Sequence, residues 1–106
     1  MTHDDVLARL GHVIDARRSA SPPGSYVSSL FAQGEDAILK KLAEEAAETV
    51  LAAKGGDKLN IVRETADLWF HSLVLLAWHG LGPEDVLAEL RRREGVSGVD
   101  EKSARR

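Results

Sequence analysis

No cysteine occurs anywhere in the chain. Disulfides, thiolate chemistry and cysteine-held zinc or iron–sulfur centres are therefore excluded, and the cytoplasm is the expected compartment. Long hydrophobic runs are also missing. The longest apolar stretch, Leu73 to Trp78, falls far short of the roughly 20 residues that span a bilayer, so no membrane partner is expected. Met1-Thr2-His3-Asp4-Asp5 holds no basic segment leading into an apolar run, and no secretory leader is expected from it. Positive charge is not in excess: 14 Lys and Arg against 17 Asp and Glu leave a formal net charge of −3. That balance argues against a binder of duplex nucleic acid, which carries a basic face. No segment shows the strict apolar–polar alternation of a half-buried strand.

What is present is helical periodicity. The 106 residues predict a single all-α domain, residues 1–106, built on four main helices. A chain of this size buries a modest fraction of its surface, so a homodimer is expected to complete the core. Thr2 is placed to cap a first helix whose apolar positions are Val6, Leu7, Leu10, Val13 and Ile14 and which ends near Arg17 and Arg18. Pro22, Pro23 and Gly24 make residues 19–25 a loop. A short apolar piece, Tyr26 to Phe31, is one or two turns long and closes at Gln33-Gly34.

The second main helix runs from Glu35 to Lys54, with Ile38, Leu39, Leu42, Ala46, Val50 and Leu51 as its apolar stripe. Gly55-Gly56 ends it and Asp57 caps a third, which reaches about His79 and is apolar around much of its circumference. Pro83 opens a fourth, with Val86, Leu87 and Leu90 as its expected buried side, and Arg91 to Arg93 close it. Residues 95–106 are rich in glycine and charge and read as a flexible tail.

The informative feature is the placement of acids on the two longest helices. At about 100° per residue, Lys41, Glu44, Glu45 and Glu48 share a sector of roughly 100°. By the same arithmetic Asn60, Glu64, Asp67 and His71 fall within roughly 60° of one another. A line of acids on a nearly all-apolar helix is costly unless the charges are paired or hold a cation. Two such helices packed antiparallel would gather four or five carboxylates, an oxygen-only site that suits Mg²⁺, or Mn²⁺ in its place. Mg²⁺ in such a setting points to phosphoryl or pyrophosphoryl chemistry. A di-iron bundle is excluded, because it needs Glu-x-x-His pairs and no Glu here is followed by His three positions later. The plainer alternatives are solvated acids, Lys41 paired along its helix with Glu45 or Glu48, and His71 as a satisfied core histidine. Trp69, Phe70 and Trp78 read as core or dimer-interface residues.

With these residues in view, the chain resembles the phosphoribosyl-ATP pyrophosphohydrolases, a family of all-α nucleotide pyrophosphohydrolases. The shared signature of that larger group, Glu-x-x-Glu followed by Glu-x-x-Asp, is similar to Glu45-Ala46-Ala47-Glu48 and Glu64-Thr65-Ala66-Asp67. Gly24-Ser25-Tyr26, Ile38-Leu39-Lys40-Lys41 and Ala66-Asp67-Leu68-Trp69-Phe70-His71 resemble family segments, and Ser97 to Arg105 resembles its closing motif. Ser103-Ala104 reverses the usual order there, and Asp100 stands where Glu is common.

The resemblance implies Mg²⁺-dependent hydrolysis of phosphoribosyl-ATP to phosphoribosyl-AMP and pyrophosphate, the second step of histidine biosynthesis. It implies the stand-alone form, since the chain lacks the length and cysteines for a fused zinc-dependent cyclohydrolase. On this reading Glu45, Glu48, Glu64 and Asp67 hold the metal. Glu44, Glu45 and Lys41 are the catalytic candidates, and Lys40, Lys41, Asn60, His71, Ser97, Lys102 and Arg105 the substrate-binding ones. The partner would be a small nucleotide, not a nucleic-acid polymer. Two other readings stay open: a house-cleaning pyrophosphohydrolase acting on (deoxy)nucleoside triphosphates, and a non-catalytic helical dimerisation module. A metal-storage bundle leaves Lys40, Lys41 and the cationic tail without a purpose.

Overall fold

Five helices make up the regular structure in a computed structural model of the chain, which describes residues 4–19, 25–96 and 98. They are α1 (Asp4–Arg17), α2 (Tyr26–Gln33), α3 (Glu35–Gly55), α4 (Lys58–Trp78) and α5 (Pro83–Arg93). The count differs from the four main helices expected, because the short apolar piece is a full two-turn helix. Its extra definition comes from Ser25, whose side chain accepts a hydrogen bond from the Ser28 N–H at 3.1 Å. The expected Thr2 cap lies outside the described residues.

The signals that bound α3 and α4 act as anticipated. Gly56 adopts the left-handed conformation at φ 80° and its N–H closes onto the carbonyls of Ala52 and Ala53. Asp57 accepts from the N–H groups of Leu59 and Asn60 and starts α4. Two residues between helices of 21 residues each force an antiparallel hairpin. Its register is read from two contacts: the Thr49 hydroxyl reaches the Glu64 carbonyl, and the Glu35 carboxylate reaches the His79 ring near the far end.

The core is a cluster of Ile14, Leu30, Phe31, Ile38, Leu73, Val74 and Ala77, drawn from the first four helices. Each fully buried Ile or Val contributes about 1.5–3 kcal/mol, and Ile14, Ile38 and Val74 are the largest apolar ones. Arg18 ties α1 to the end of α4, donating from its guanidinium to the Ala77 carbonyl at 2.7 Å. Gly11 lets α1 approach α5 closely, since a Cβ there would meet the Pro83 ring at 2.7 Å.

Two apolar faces do not lie where periodicity puts them. Of the α3 stripe, Ile38 is buried and Leu42 half-buried, whereas Leu39, Val50 and Leu51 are exposed. The line that α3 turns inward is Ile38, Glu45 and Ala52, one residue every two turns. On α5 only Pro83 is buried; Val86, Leu87 and Leu90 are exposed. The cause is that α5 packs on α1 and leaves a groove of about 330 Å³ beside α4, lined by Leu7, Trp69, Leu76, Val86, Leu87 and Leu90 among others.

Candidate active site

The inward line of α3 explains how an acid comes to be buried. Glu45 sits two turns after Ile38 and two before Ala52, so the packing that buries those residues also takes Glu45 to 5% exposure. Thr49, one turn on, places its hydroxyl 2.8 Å from the Glu45 carbonyl and 3.2 Å from the Glu64 carbonyl. That hydroxyl links α3 to α4 at the level of the acids. Across the hairpin, one carboxylate oxygen from each of Glu45, Glu48 and Glu64 lies within 4.8 Å of the others.

Charge balance in this cluster is poor. The Lys41 ammonium lies 3.2 Å from Glu45 Oε1, and that hydrogen bond is the main cause of its pKa lying above the usual lysine value. Glu45 Oε2 and Glu64 Oε2 are buried without a hydrogen-bond partner among the described residues. A buried acceptor left unsatisfied costs about 1–3 kcal/mol, more when charged. Glu48 is exposed and Glu64 half-buried, yet three carboxylate oxygens so close and so incompletely paired match the donor set of a hard divalent cation. The residues present therefore fit Mg²⁺ or Mn²⁺.

The remaining candidates take distinct places. Asp67 is exposed and its carboxylate is not in the group of three. Glu44 and Lys40 are exposed on α3, and Lys41 is half-buried. Asn60 lines a cavity of about 270 Å³ that shares Glu48 and Glu64 with the cluster and is otherwise walled by Leu51, Ala52, Gly55 and Asp57. His71 is buried, with Nδ1 2.8 Å from the Asp67 carbonyl and Nε2 2.8 Å from the Tyr26 hydroxyl. It touches protein groups on both sides, the surroundings of a satisfied core histidine. Ser97, Lys102 and Arg105 lie outside the described residues.

Two residues escaped the sequence reading as site components. Thr49 is signalled only by its i+4 spacing from Glu45, a pattern found on any helix. Tyr26 stands edge-on to His71, with ring centroids 5.7 Å apart. Burial pushes its hydroxyl above the ordinary phenol range; Lys41 opposes the shift, and Glu45, Glu44 and Asp67 reinforce it. The available clues were its place in the family-like segment Gly24-Ser25-Tyr26 and its being the chain's single tyrosine.

A helical hairpin holding three converging carboxylates beside a lysine defines an all-α protein whose acidic cluster fits a hard divalent cation. Comparison with known proteins specifies which. The sequence profile of the family described as "Phosphoribosyl-ATP pyrophosphohydrolase" matches residues 7–94, and the chain belongs to that family. It is 64% identical over 102 residues to the phosphoribosyl-ATP pyrophosphatase of Chromobacterium violaceum, covering 96% of this chain and 94% of that one. The protein of the same name from Nitrosospira multiformis is 60% identical over 106 residues, covering 100% and 88%. That from an Azoarcus species is 61% identical over 102 residues, covering 96% and 95%.

Proposed function

We propose that this chain hydrolyses phosphoribosyl-ATP to phosphoribosyl-AMP and pyrophosphate with Mg²⁺, as one cytoplasmic domain serving histidine biosynthesis. The carrying observation is the pair of unpartnered buried oxygens, Glu45 Oε2 and Glu64 Oε2, in a cluster with Glu48. Family membership and the relatives' names support the substrate.

Glu45, Glu48 and Glu64 would hold the ion, with Asp67 joining from the same face of α4. When bound, Mg²⁺ or Mn²⁺ supplies counter-charge for the triphosphate and makes a bound water more acidic. Glu44, exposed beside Glu45, is free to orient the attacking water and take its proton, with attack at the α-phosphorus. Lys41, anchored on Glu45, and Lys40 bring positive charge to the departing pyrophosphate. Asn60 offers an amide to the nucleotide from the neighbouring cavity. In the tail, Ser97, Lys102 and Arg105 would take the additional phosphate of the phosphoribosyl group.

A second copy of the chain completes the fold in this reading. Leu51 is 69% exposed, Val62 64% and Trp69 58%, a density of bare apolar side chains that a soluble monomer rarely carries.

The test is pyrophosphate release from phosphoribosyl-ATP and from a panel of nucleoside triphosphates, each with Mg²⁺ and with chelator. Mg²⁺-dependent release from phosphoribosyl-ATP is expected, and Glu48→Gln should abolish it without unfolding the chain. Release only from ordinary triphosphates would leave the metal chemistry and discard the substrate. An active Glu48→Gln protein would make the acids structural.

A further inference from the structure

Outside the carboxylate cluster, the most constrained polar group is the buried His71, and its constraint has a chemical consequence. The Asp67 carbonyl oxygen can only accept. With Nδ1 2.8 Å from it, Nδ1 must carry the ring proton, and in the neutral ring Nε2 is then an acceptor. Tyr26 Oη lies 2.8 Å from that Nε2, so the tyrosine hydroxyl donates its only hydrogen inward. What remains on the phenol oxygen is acceptor capacity alone. The geometry is braced from both sides, because Phe70 and Tyr26 each meet the imidazole edge-on, at centroid separations of 5.4 and 5.7 Å.

The tyrosine is not hidden. It is 50% exposed at the first position of α2, where the charges of Lys41, Glu45, Glu44 and Asp67 all act on it. Through His71 it is tied to the Asp67 turn of α4, which carries groups assigned to the nucleotide. A phosphate oxygen at neutral pH offers no hydrogen, so a phenol that has already spent its own cannot bond one. A nucleoside hydroxyl or amino group can donate to it.

We propose that Tyr26 contacts the substrate as an acceptor-only group that reads an O–H or N–H donor of the nucleoside part, and that His71 is the positioning residue that fixes it in this state. This assignment rests on the proposed nucleotide hydrolysis. It also gives α2 a purpose beyond packing. The Asp67–His71–Tyr26 chain joins the acidic turn of α4 to the start of α2, so the reader and the carboxylates are held by one rigid connection.

The experiment uses the full chain and steady-state kinetics with phosphoribosyl-ATP. Tyr26→Phe should raise KM about three- to tenfold, the worth of one neutral hydrogen bond, with the loss falling on KM and not on kcat. His71→Phe should reproduce that rise, the double variant should add nothing to it, and His71→Gln, which keeps an acceptor near the Nε2 position, should recover most of it. Inhibition by pyrophosphate should be insensitive to Tyr26→Phe, whereas inhibition by AMP should weaken. Comparing AMP with 2′,3′-dideoxy-AMP and with IMP identifies the donor: the analogue for which Tyr26→Phe no longer matters lacks the group that is read.

A readout independent of turnover comes from the single tyrosine, whose ¹³Cζ signal titrates alone. The bond to Nε2 favours the protonated hydroxyl, so His71→Phe should lower its midpoint relative to the wild type, and His71→Gln should restore it. An active wild type with unchanged KM in Tyr26→Phe would overturn the proposal, as would equal weakening of pyrophosphate or an unmoved tyrosine titration in His71→Phe. A wild type that fails to hydrolyse phosphoribosyl-ATP would instead refute the proposed function, and the tyrosine titration would still report on the His71 contact.

Discussion

Replacing Glu45 by Gln keeps the size and shape of the side chain and removes one negative charge from the cluster. Its effect on stability can be worked out from the geometry. Glu45 faces Glu48 and Glu64 with oxygens no more than 4.8 Å away. At an effective dielectric of about 20, two unit charges at that separation repel by about 3.5 kcal/mol, so the two contacts together cost about 7 kcal/mol, and less once the solvent screening of the exposed Glu48 is counted. Lys41 at 3.2 Å returns about 5 kcal/mol on the same scale, and less once the screening of its partly exposed ammonium is counted.

The wild-type charge at Glu45 is thus unfavourable by about 2 kcal/mol when no cation is bound. In chelator, Glu45→Gln should melt higher than wild type, by about 10 °C for a domain of this size. Mg²⁺ should reverse the order. The wild type gains about 2.7 kcal/mol when the ion is at a hundredfold excess over its dissociation constant, and the variant, short of a ligand, gains much less. Thermal melts of both proteins with EDTA and with Mg²⁺ give the four numbers needed. A variant that melts below wild type in EDTA, or that gains as much from Mg²⁺, would refute the reasoning and make Glu45 a structural acid satisfied by Lys41.

Other expectations follow from single contacts. Gly11→Ala should destabilise the chain by about 1–3 kcal/mol, because the new Cβ meets the Pro83 ring at 2.7 Å; an unchanged melting temperature would mean that α1 and α5 slide apart freely. Removing residues 95–106 should cripple phosphoribosyl-ATP turnover while leaving the helical circular-dichroism signal nearly intact, and full turnover by the shortened chain would remove the tail from the site. Hydrogen bonds from Arg92 and Arg93 hold the Glu89 carboxyl at about 2, below the ordinary 4.5. A depressed acid pKa stabilises the fold above the unfolded value and loses that contribution as pH falls through the folded one. Glu89→Gln should therefore soften the decline in stability between pH 4.5 and 2, and a Glu89 signal titrating at its ordinary value by NMR would contradict the assignment.

Local chemistry was legible from the sequence wherever neighbours in the chain decide the outcome. Asp57, Gly56 and Pro83 set helix ends because capping, left-handed backbone and a fixed φ act within a few residues. The acidic faces of α3 (Glu44, Glu45 and Glu48) and α4 (Glu64 and Asp67) were legible for the same reason, since helical spacing alone puts the acids of each helix on one side. Ser25 reads as loop from the sequence alone, because a side-chain cap shows itself only with the helix it starts.

What the tertiary structure decided is which side of each helix meets another. Periodicity gave α3 an apolar stripe, yet packing turned Ile38, Glu45 and Ala52 inward and left Val50 and Leu51 bare. A stripe on one helix does not state whether a neighbour in the same chain covers it. Likewise Val86, Leu87 and Leu90 form an apolar face that no helix among the described residues covers, because α5 docks on α1 through Pro83. Convergence of Glu45, Glu48 and Glu64, the two unpartnered oxygens and the Tyr26–His71 bond each join residues far apart in the chain. Such contacts arise from the register of a hairpin and the docking of a short helix, and these are settled by the packing of the whole core and not by any single segment.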